Sequence, residues 1–227
     1  MAGPWWGSHI DDNKYGTAPL DYTRAGDTFV VLPDILGSGS FSVVRRGVDN
    51  RDNSPVAVKE VLKPSLAHKS DLGASVAREV QALARLRGCA HTIGLRAHYV
   101  DSTTGSHHVV MDYAAAGELF ARLPKPGSPL PEASALTIIR QIVQGVAEMH
   151  TRGVAHCDLK LENACFDDFN MLKWIDFGLA HCYERNAWRG GWHSELLMQP
   201  RGSPSYMPPE VCQLFNDRSS PGFDGIK

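Results

Sequence analysis

The stretch His156-Cys157-Asp158-Leu159-Lys160-Leu161-Glu162-Asn163, followed by Asp176-Phe177-Gly178, limits what this chain can fold into more than any other feature. Asn163 lies five residues after Asp158, Asp176 thirteen after Asn163, and Lys160 two after Asp158. Two carboxylates, an amide and an ammonium spaced in this way act together only when neighbouring loops bring them to one place. The fold must therefore supply converging loops.

Composition narrows the setting. With 43% hydrophobic residues in 227, the chain has ample material for a core, as one large domain or two small ones. The net charge is −2 and no Lys/Arg block appears, which argues against nucleic acid as the main partner. The five cysteines, Cys89, Cys157, Cys165, Cys182 and Cys212, include no C-x-x-C pair, so a disulfide framework or zinc cage is not expected and a reducing compartment fits. No apolar run reaches membrane-spanning length, and Met1-Ala2-Gly3-Pro4 offers neither a basic leader nor a myristoylation glycine. The expectation is a soluble intracellular protein, cytoplasmic with the nucleus left open, bound to no membrane; its oligomeric state is not legible.

Residues 1 to about 27 mix Gly, Pro, Asp and Trp without period and read as a tail, with Trp5 and Trp6 able to dock on a partner or on the domain. From Thr28 the pattern is strand-like. Phe29-Val30-Val31-Leu32, Gly37 to Val44, and Val56-Ala57-Val58-Lys59 follow one another across turn-rich links. Gly37 and Gly39 suit a hairpin whose backbone approaches phosphate oxygens too closely for a Cβ, and Ser42 takes the place of a third glycine. Lys59, flanked by apolar neighbours, needs an anionic partner or an edge position from which to snorkel. Leu72, Val76, Val80 and Leu83 recur at helical spacing. Glu79 beside that stripe is either the partner of Lys59 or a solvated helix charge.

Leu95 to Val100 and His107 to Asp112 bracket a hairpin turn, giving five strands and one helix. A short helix opens at Gly117-Glu118-Leu119-Phe120. After a Pro-rich break a long one runs from Glu132 to His150, with Pro131 in its first turn. Its apolar residues Ala135, Ile138, Ile139, Ile142, Val143, Val146 and Met149 cover more than one face, which predicts burial.

Taken together these motifs resemble a eukaryotic protein kinase domain of the Ser/Thr type, near the calcium/calmodulin-dependent and AMP-activated group. The resemblance runs from about Thr28 to the C-terminus. It implies an α+β, two-lobed fold: a tail over 1–27, a five-stranded antiparallel N-lobe over 28–112, and a helical, incomplete C-lobe over 113–227. It implies ATP and Mg²⁺ as cofactors and a protein substrate. Asp158 would be the catalytic base, Lys160 the γ-phosphate contact, and Asn163 and Asp176 the metal ligands. Lys59, paired with Glu79, would hold the α and β phosphates under Gly37, Gly39 and Ser42. Val44, Ala57 and Cys165 would sandwich the adenine, whose edge meets Met111, Asp112 and Ala114. Ser203, in Gly202-Ser203-Pro204, would position the substrate and contact Asp158, while Glu118 and Glu162 would select basic residues upstream of the acceptor. His156 and Phe177 would be structural.

Two departures stand out. Cys157 occupies the position where many kinases carry an arginine that binds a phosphorylated activation loop, so activation is expected not to require phosphorylation of hydroxyls such as Ser194. The sequence ends at Gly222-Phe223-Asp224-Gly225-Ile226-Lys227, which resembles the lead-in to the central C-lobe helix. The expectation is a partial lobe whose Glu132 to His150 helix keeps an uncovered apolar face.

Overall fold

The computed structural model describes residues 28–39, 42–61, 71–101, 104–124, 128–184, 196–216 and 222–225. The tail with Trp5 and Trp6, the loop residue Phe41 and Ser194 lie outside them, as does the side chain of Leu72. The chain divides into two compact units, Met1–Ala77 with Arg96–Met111, and Arg78–Leu95 with Asp112–Lys227.

The first unit is built on a five-stranded antiparallel sheet in the order β1-β2-β3-β5-β4. Its strands are β1 (Phe29–Ser38), β2 (Ser42–Asp49), β3 (Ser54–Val61), β4 (Leu95–Val100) and β5 (His107–Asp112). The β2–β3 register is unbroken from Ser42↔Val61 to Asp49↔Ser54, closed by a turn in which Asn53 takes a positive φ of 56°. Period-two alternation then sends Val56 and Val58 inward, where they pack with Phe29, Ala97, Val110 and the half-buried Tyr99. β1 runs further than its apolar stretch suggests. It continues to Ser38 through two register irregularities against β2, and leaves Val30 and Ile35 45% and 61% exposed, as an edge strand can.

A buried carboxylate closes the β2–β3 hairpin. The Asp49 side chain is 1% exposed, and Arg51 grips it with two bonds, Nη2 to Oδ2 at 2.6 Å and Nε to Oδ1 at 2.9 Å. Arg96 adds a contact at 3.4 Å, and the Arg51 guanidinium lies 5.3 Å over the Phe29 ring. Hydrogen bonding from Arg51, opposed by burial, holds the Asp49 carboxyl down at about 2.

The helix α1 (Asp71–Arg85) crosses the division between the units and buries Val76, Val80, Ala82, Leu83 and Glu79. In the second unit, α2 (Leu119–Arg122) is a single turn and α3 (Glu132–Thr151) is the long helix that the sequence pattern predicts. Two short antiparallel pairs follow: β6 (Val154–Ala155) with β9 (His181–Cys182), and β7 (Ala164–Phe166) with β8 (Leu172–Trp174).

The loop before β4 ties these parts together. The His91 backbone N–H donates to Glu148 Oε2 on α3 at 3.0 Å, its Nδ1 donates to Leu172 O at 3.0 Å, and its carbonyl accepts from the Trp174 N–H at 2.9 Å. Gly145 lets the Trp174 indole lie on the α3 backbone, since a Cβ there would fall 2.7 Å from the ring. A further cluster of Leu197, Val211, Leu214 and Phe223 involves α4 (Pro209–Asn216), with a two-bond bridge between Leu197 and Phe223.

The long helix departs from expectation in what it buries. Leu136, Ile139 and Val143 are 48%, 52% and 59% exposed, while Gly145 and Met149 are buried. Ile139 and Val143 were expected inside. No described element lies over that face.

Asp49→Asn is expected to cost roughly 1–2 kcal/mol at neutral pH, less than the full pKa shift implies because Arg51 is half in solvent. The folded pKa of Asp49 lies below the unfolded value, so this stability is present above about pH 4 and is lost as pH falls towards 2. Denaturant titrations of both proteins across that window check it, with the gap closing at the acid end.

Candidate active site

The second unit carries the loop constellation. His156 follows β6 directly, and its ring is 2% exposed. The Asp158 N–H donates to His156 Nδ1 at 3.3 Å, so Nε2 carries the ring proton and donates to Ile175 O at 2.9 Å. Burial holds this imidazole below the ordinary histidine range, hence neutral. Its ring meets Phe177 at 4.7 Å and Trp174 at 5.8 Å. A structural histidine thus splints the Asp158 loop to the strand that leads to Asp176.

Asp158 is 8% exposed and its oxygens are filled by defined donors. Oδ1 accepts the Ser203 N–H at 2.7 Å. Oδ2 meets Lys160 Nζ at 3.0 Å and accepts from Asn163 Nδ2 at 3.1 Å. Burial pushes the carboxyl up, and the bonds and charge of Lys160 together with the Ser203 bonds outweigh it, for a net downward shift. Asp158 is an anion at neutral pH.

Lys160 Nζ also donates to Ser203 Oγ at 2.9 Å, so the ammonium bridges the aspartate and the serine. The expected contact between Ser203 and Asp158 is present. Gly202 permits it: φ is +108°, and a Cβ there would sit 2.6 Å from the Cys157 carbonyl oxygen. Cys157 itself is left-handed at φ 62°, and burial pushes its thiol up to about 11.

Asn163 ends a 3₁₀ turn, Leu161–Asn163, and is 5% exposed. Its Nδ2 donates to the Asp158 carbonyl at 2.9 Å as well as to Oδ2, which leaves Oδ1 as the oxygen available to a ligand. Asp176 is exposed and left-handed, with φ 59° and ψ 73°, at the entry to the 3₁₀ turn Phe177–Leu179. An amide oxygen and an exposed carboxylate are hard donors of the type Mg²⁺ selects.

Other expected positions are placed as follows. Cys165 is 8% exposed on β7, where a bridge pairs its residue with Glu118. Asp112 and Ala114 are half-buried, and the Asp112 N–H donates to Gly94 O at 2.9 Å. Glu79 is 2% exposed, which excludes the solvated helix charge. Glu118 and Glu162 are both exposed, and the Tyr206 hydroxyl donates to Glu162 Oε2 at 3.2 Å, a partner that nothing in the local sequence announces.

In the first unit, Lys59, Val44 and Ala57 are half-buried and Met111 is 7% exposed. Gly39 N–H donates to Ser42 O at 2.8 Å, closing the glycine turn. A Cβ on Gly37 would meet no atom within 4 Å, so packing inside the unit does not require glycine there.

Gly202→Ala is expected to destabilise by about 1–3 kcal/mol, from the left-handed backbone together with the clash on the Cys157 carbonyl. Thermal unfolding of both proteins measures this, and an unchanged midpoint would contradict the geometry.

Comparison with known proteins identifies the family. A family model described as protein kinase domain matches residues 31–223. CBL-interacting protein kinase 16 of Oryza sativa subsp. japonica is 34% identical over 196 residues, covering 86% of this chain and 40% of the relative. CBL-interacting serine/threonine-protein kinase 7 of Arabidopsis thaliana is 34% identical over 192 residues, covering 85% and 41%. Maternal embryonic leucine zipper kinase of Danio rerio is 34% identical over 195 residues, covering 86% and 27%. The chain therefore spans about two fifths of the length of its plant relatives, or less. A loop aspartate locked by its own serine, lysine and asparagine lies inside the region that the family model matches, and the chain belongs to the protein kinase domain family.

Proposed function

We propose that this protein transfers the γ-phosphoryl group of ATP to serine or threonine hydroxyls of protein substrates. The observation that carries the reading is Asp158: a buried carboxylate kept ionised by Lys160 and Ser203 and fixed in orientation by them together with Asn163. Phosphoryl transfer asks the protein for positioning and charge stabilisation more than for covalent chemistry. Asp158 orients the acceptor hydroxyl and takes its proton. The Lys160 ammonium, already held between Asp158 and Ser203, stabilises charge on the oxygens of the transferred group. Asn163 Oδ1 and the Asp176 carboxylate are the candidate ligands of Mg²⁺, which when bound supplies neutralisation of phosphate charge.

Lys59, paired with Glu79, serves the α and β phosphates. The burial of Glu79 supports this, since a carboxylate is retained inside a protein only with a partner. The open space at Gly37 supports a glycine turn shaped for a ligand and not for packing. Val44, Ala57, Cys165, Met111, Asp112 and Ala114 are assigned to the nucleoside. Glu118 and Glu162, both exposed, are assigned to basic residues upstream of the acceptor. We place the protein inside the cell, where its cysteines stay reduced.

Asp158→Asn and Asp176→Asn are each expected to lower phosphoryl transfer by at least about 10²-fold in a radiolabelled ATP assay on peptide substrates. Chelation of Mg²⁺ by EDTA should abolish transfer by the unsubstituted protein. ATP binding without transfer, unaffected by either substitution, would instead identify a nucleotide-binding protein that has lost the reaction.

A further inference from the structure

Within the second unit, the segment after β5 meets β7 in a ladder of two bonds. The Ala116 N–H donates to Phe166 O and the Phe166 N–H donates to Gly117 O, both at 2.9 Å, and a bridge between Glu118 and Cys165 extends the pairing by one step. So short a ladder opens easily unless a side chain holds it shut. Arg122, on the single turn α2, holds both of its members. Its Nη2 and Nε donate to the Ala116 carbonyl at 2.8 and 3.0 Å, and its Cζ lies 4.3 Å over the ring of Phe166, a residue 2% exposed. The third nitrogen, Nη1, donates at 2.5 Å to Oδ1 of Asn170, in the turn that joins β7 to β8.

The local sequence announces a different contact. Glu118 stands four residues before Arg122, the spacing of a surface ion pair on a helix. Among the described residues, the side-chain hydrogen bonds of Arg122 go instead to neutral acceptors outside α2. A planar fork that reaches a carbonyl with two nitrogens and an amide with the third fixes two segments in distance and in angle, which a flexible ammonium does not do. The residues next to that fixed joint are Ala114 and Cys165. Ala114 is tied to it by the Gly117 N–H, which donates to Ala114 O at 3.4 Å from a left-handed backbone with φ of +82°. Cys165 immediately precedes Phe166 on β7.

We propose that Arg122 is a positioning residue of the nucleoside site, which sets the spacing between Ala114 and Cys165 that the adenine ring meets. It acts through Ala116 and Phe166 and not by contact with the nucleotide. The proposal rests on the kinase reading, which assigns Ala114 and Cys165 to the nucleoside. Arg122 therefore governs ATP affinity and leaves phosphoryl transfer at Asp158 unaffected.

The test titrates the full chain with fluorescent N-methylanthraniloyl ATP and, in parallel, measures transfer from ATP to a serine peptide. Arg122→Met should weaken nucleotide binding about tenfold and raise the KM for ATP with it, while kcat stays within about twofold. Loss of folded protein would do the opposite, lowering apparent kcat at unchanged KM, so the split separates positioning from bulk stability. Arg122→Lys reaches the Ala116 carbonyl and cannot span both acceptors, so its affinity should fall in between. Asn170→Gly suits the left-handed φ of 61° at that position and removes the acceptor of Nη1; it should weaken binding by a smaller factor and add nothing to Arg122→Met in the double variant. The single Asn170→Gly shift is a readout that stands even if Arg122→Met does not fold. Unchanged nucleotide affinity in either single variant, or a fall in kcat at unchanged KM, would overturn the assignment. The two readings fail separately. Transfer with an affinity indifferent to Arg122 removes only the role of Arg122, binding that depends on Arg122 without any transfer removes the kinase reading alone, and an unsubstituted chain that binds no nucleotide removes both.

Discussion

The proposed chemistry depends on keeping one carboxylate charged where burial would neutralise it. Asp158 lies inside the second unit, and desolvation alone would raise its pKa. Lys160, with its ammonium, and Ser203, with its backbone N–H, reverse this, and the Asn163 amide adds a third donor to the carboxylate. Each donor is itself constrained. Ser203 is delivered by a left-handed Gly202, Lys160 is shared with the Ser203 hydroxyl, and Asn163 is fixed by a second bond to the Asp158 carbonyl. Removal of any one would leave a buried charge short of a partner, the costliest kind of polar defect.

The neutral histidine is the second constraint. His156 accepts from the Asp158 N–H with one nitrogen and donates to the Ile175 carbonyl with the other, which only the neutral tautomer can do. That single ring couples the loop of Asp158 to the residue preceding Asp176, while Phe177 and Trp174 pack against it. Protonation would break the acceptor role, and burial among aromatic rings is what prevents protonation.

Charge is handled differently in the first unit. Asp49 is as deeply buried as Asp158, yet its donors come from the adjacent turn and from the far strand β4, and they serve the hairpin. Similar burial and similar donors thus serve a hairpin in one place and the proposed chemistry in the other. Asp158, for its part, lines a cavity of about 240 Å³.

What the sequence determined by itself was whatever is local. Strand alternation located β4 and β5 at Leu95–Val100 and His107–Asp112, and helical period located α3 within one residue at its end. The spacing of Asp158, Lys160, Asn163 and Asp176 named the loop residues, because loop chemistry of this kind is written in consecutive positions. Period also misled: it predicted burial for Ile139 and Val143, because amphipathicity records which residues can be covered and not whether a neighbour covers them. Only the tertiary structure decided the pairings between distant residues. Asp49 with Arg96, Tyr206 with Glu162 and Gly202 against the Cys157 carbonyl leave no periodic trace. Such contacts depend on where separate segments come to rest, and that is fixed by the packing of the whole unit.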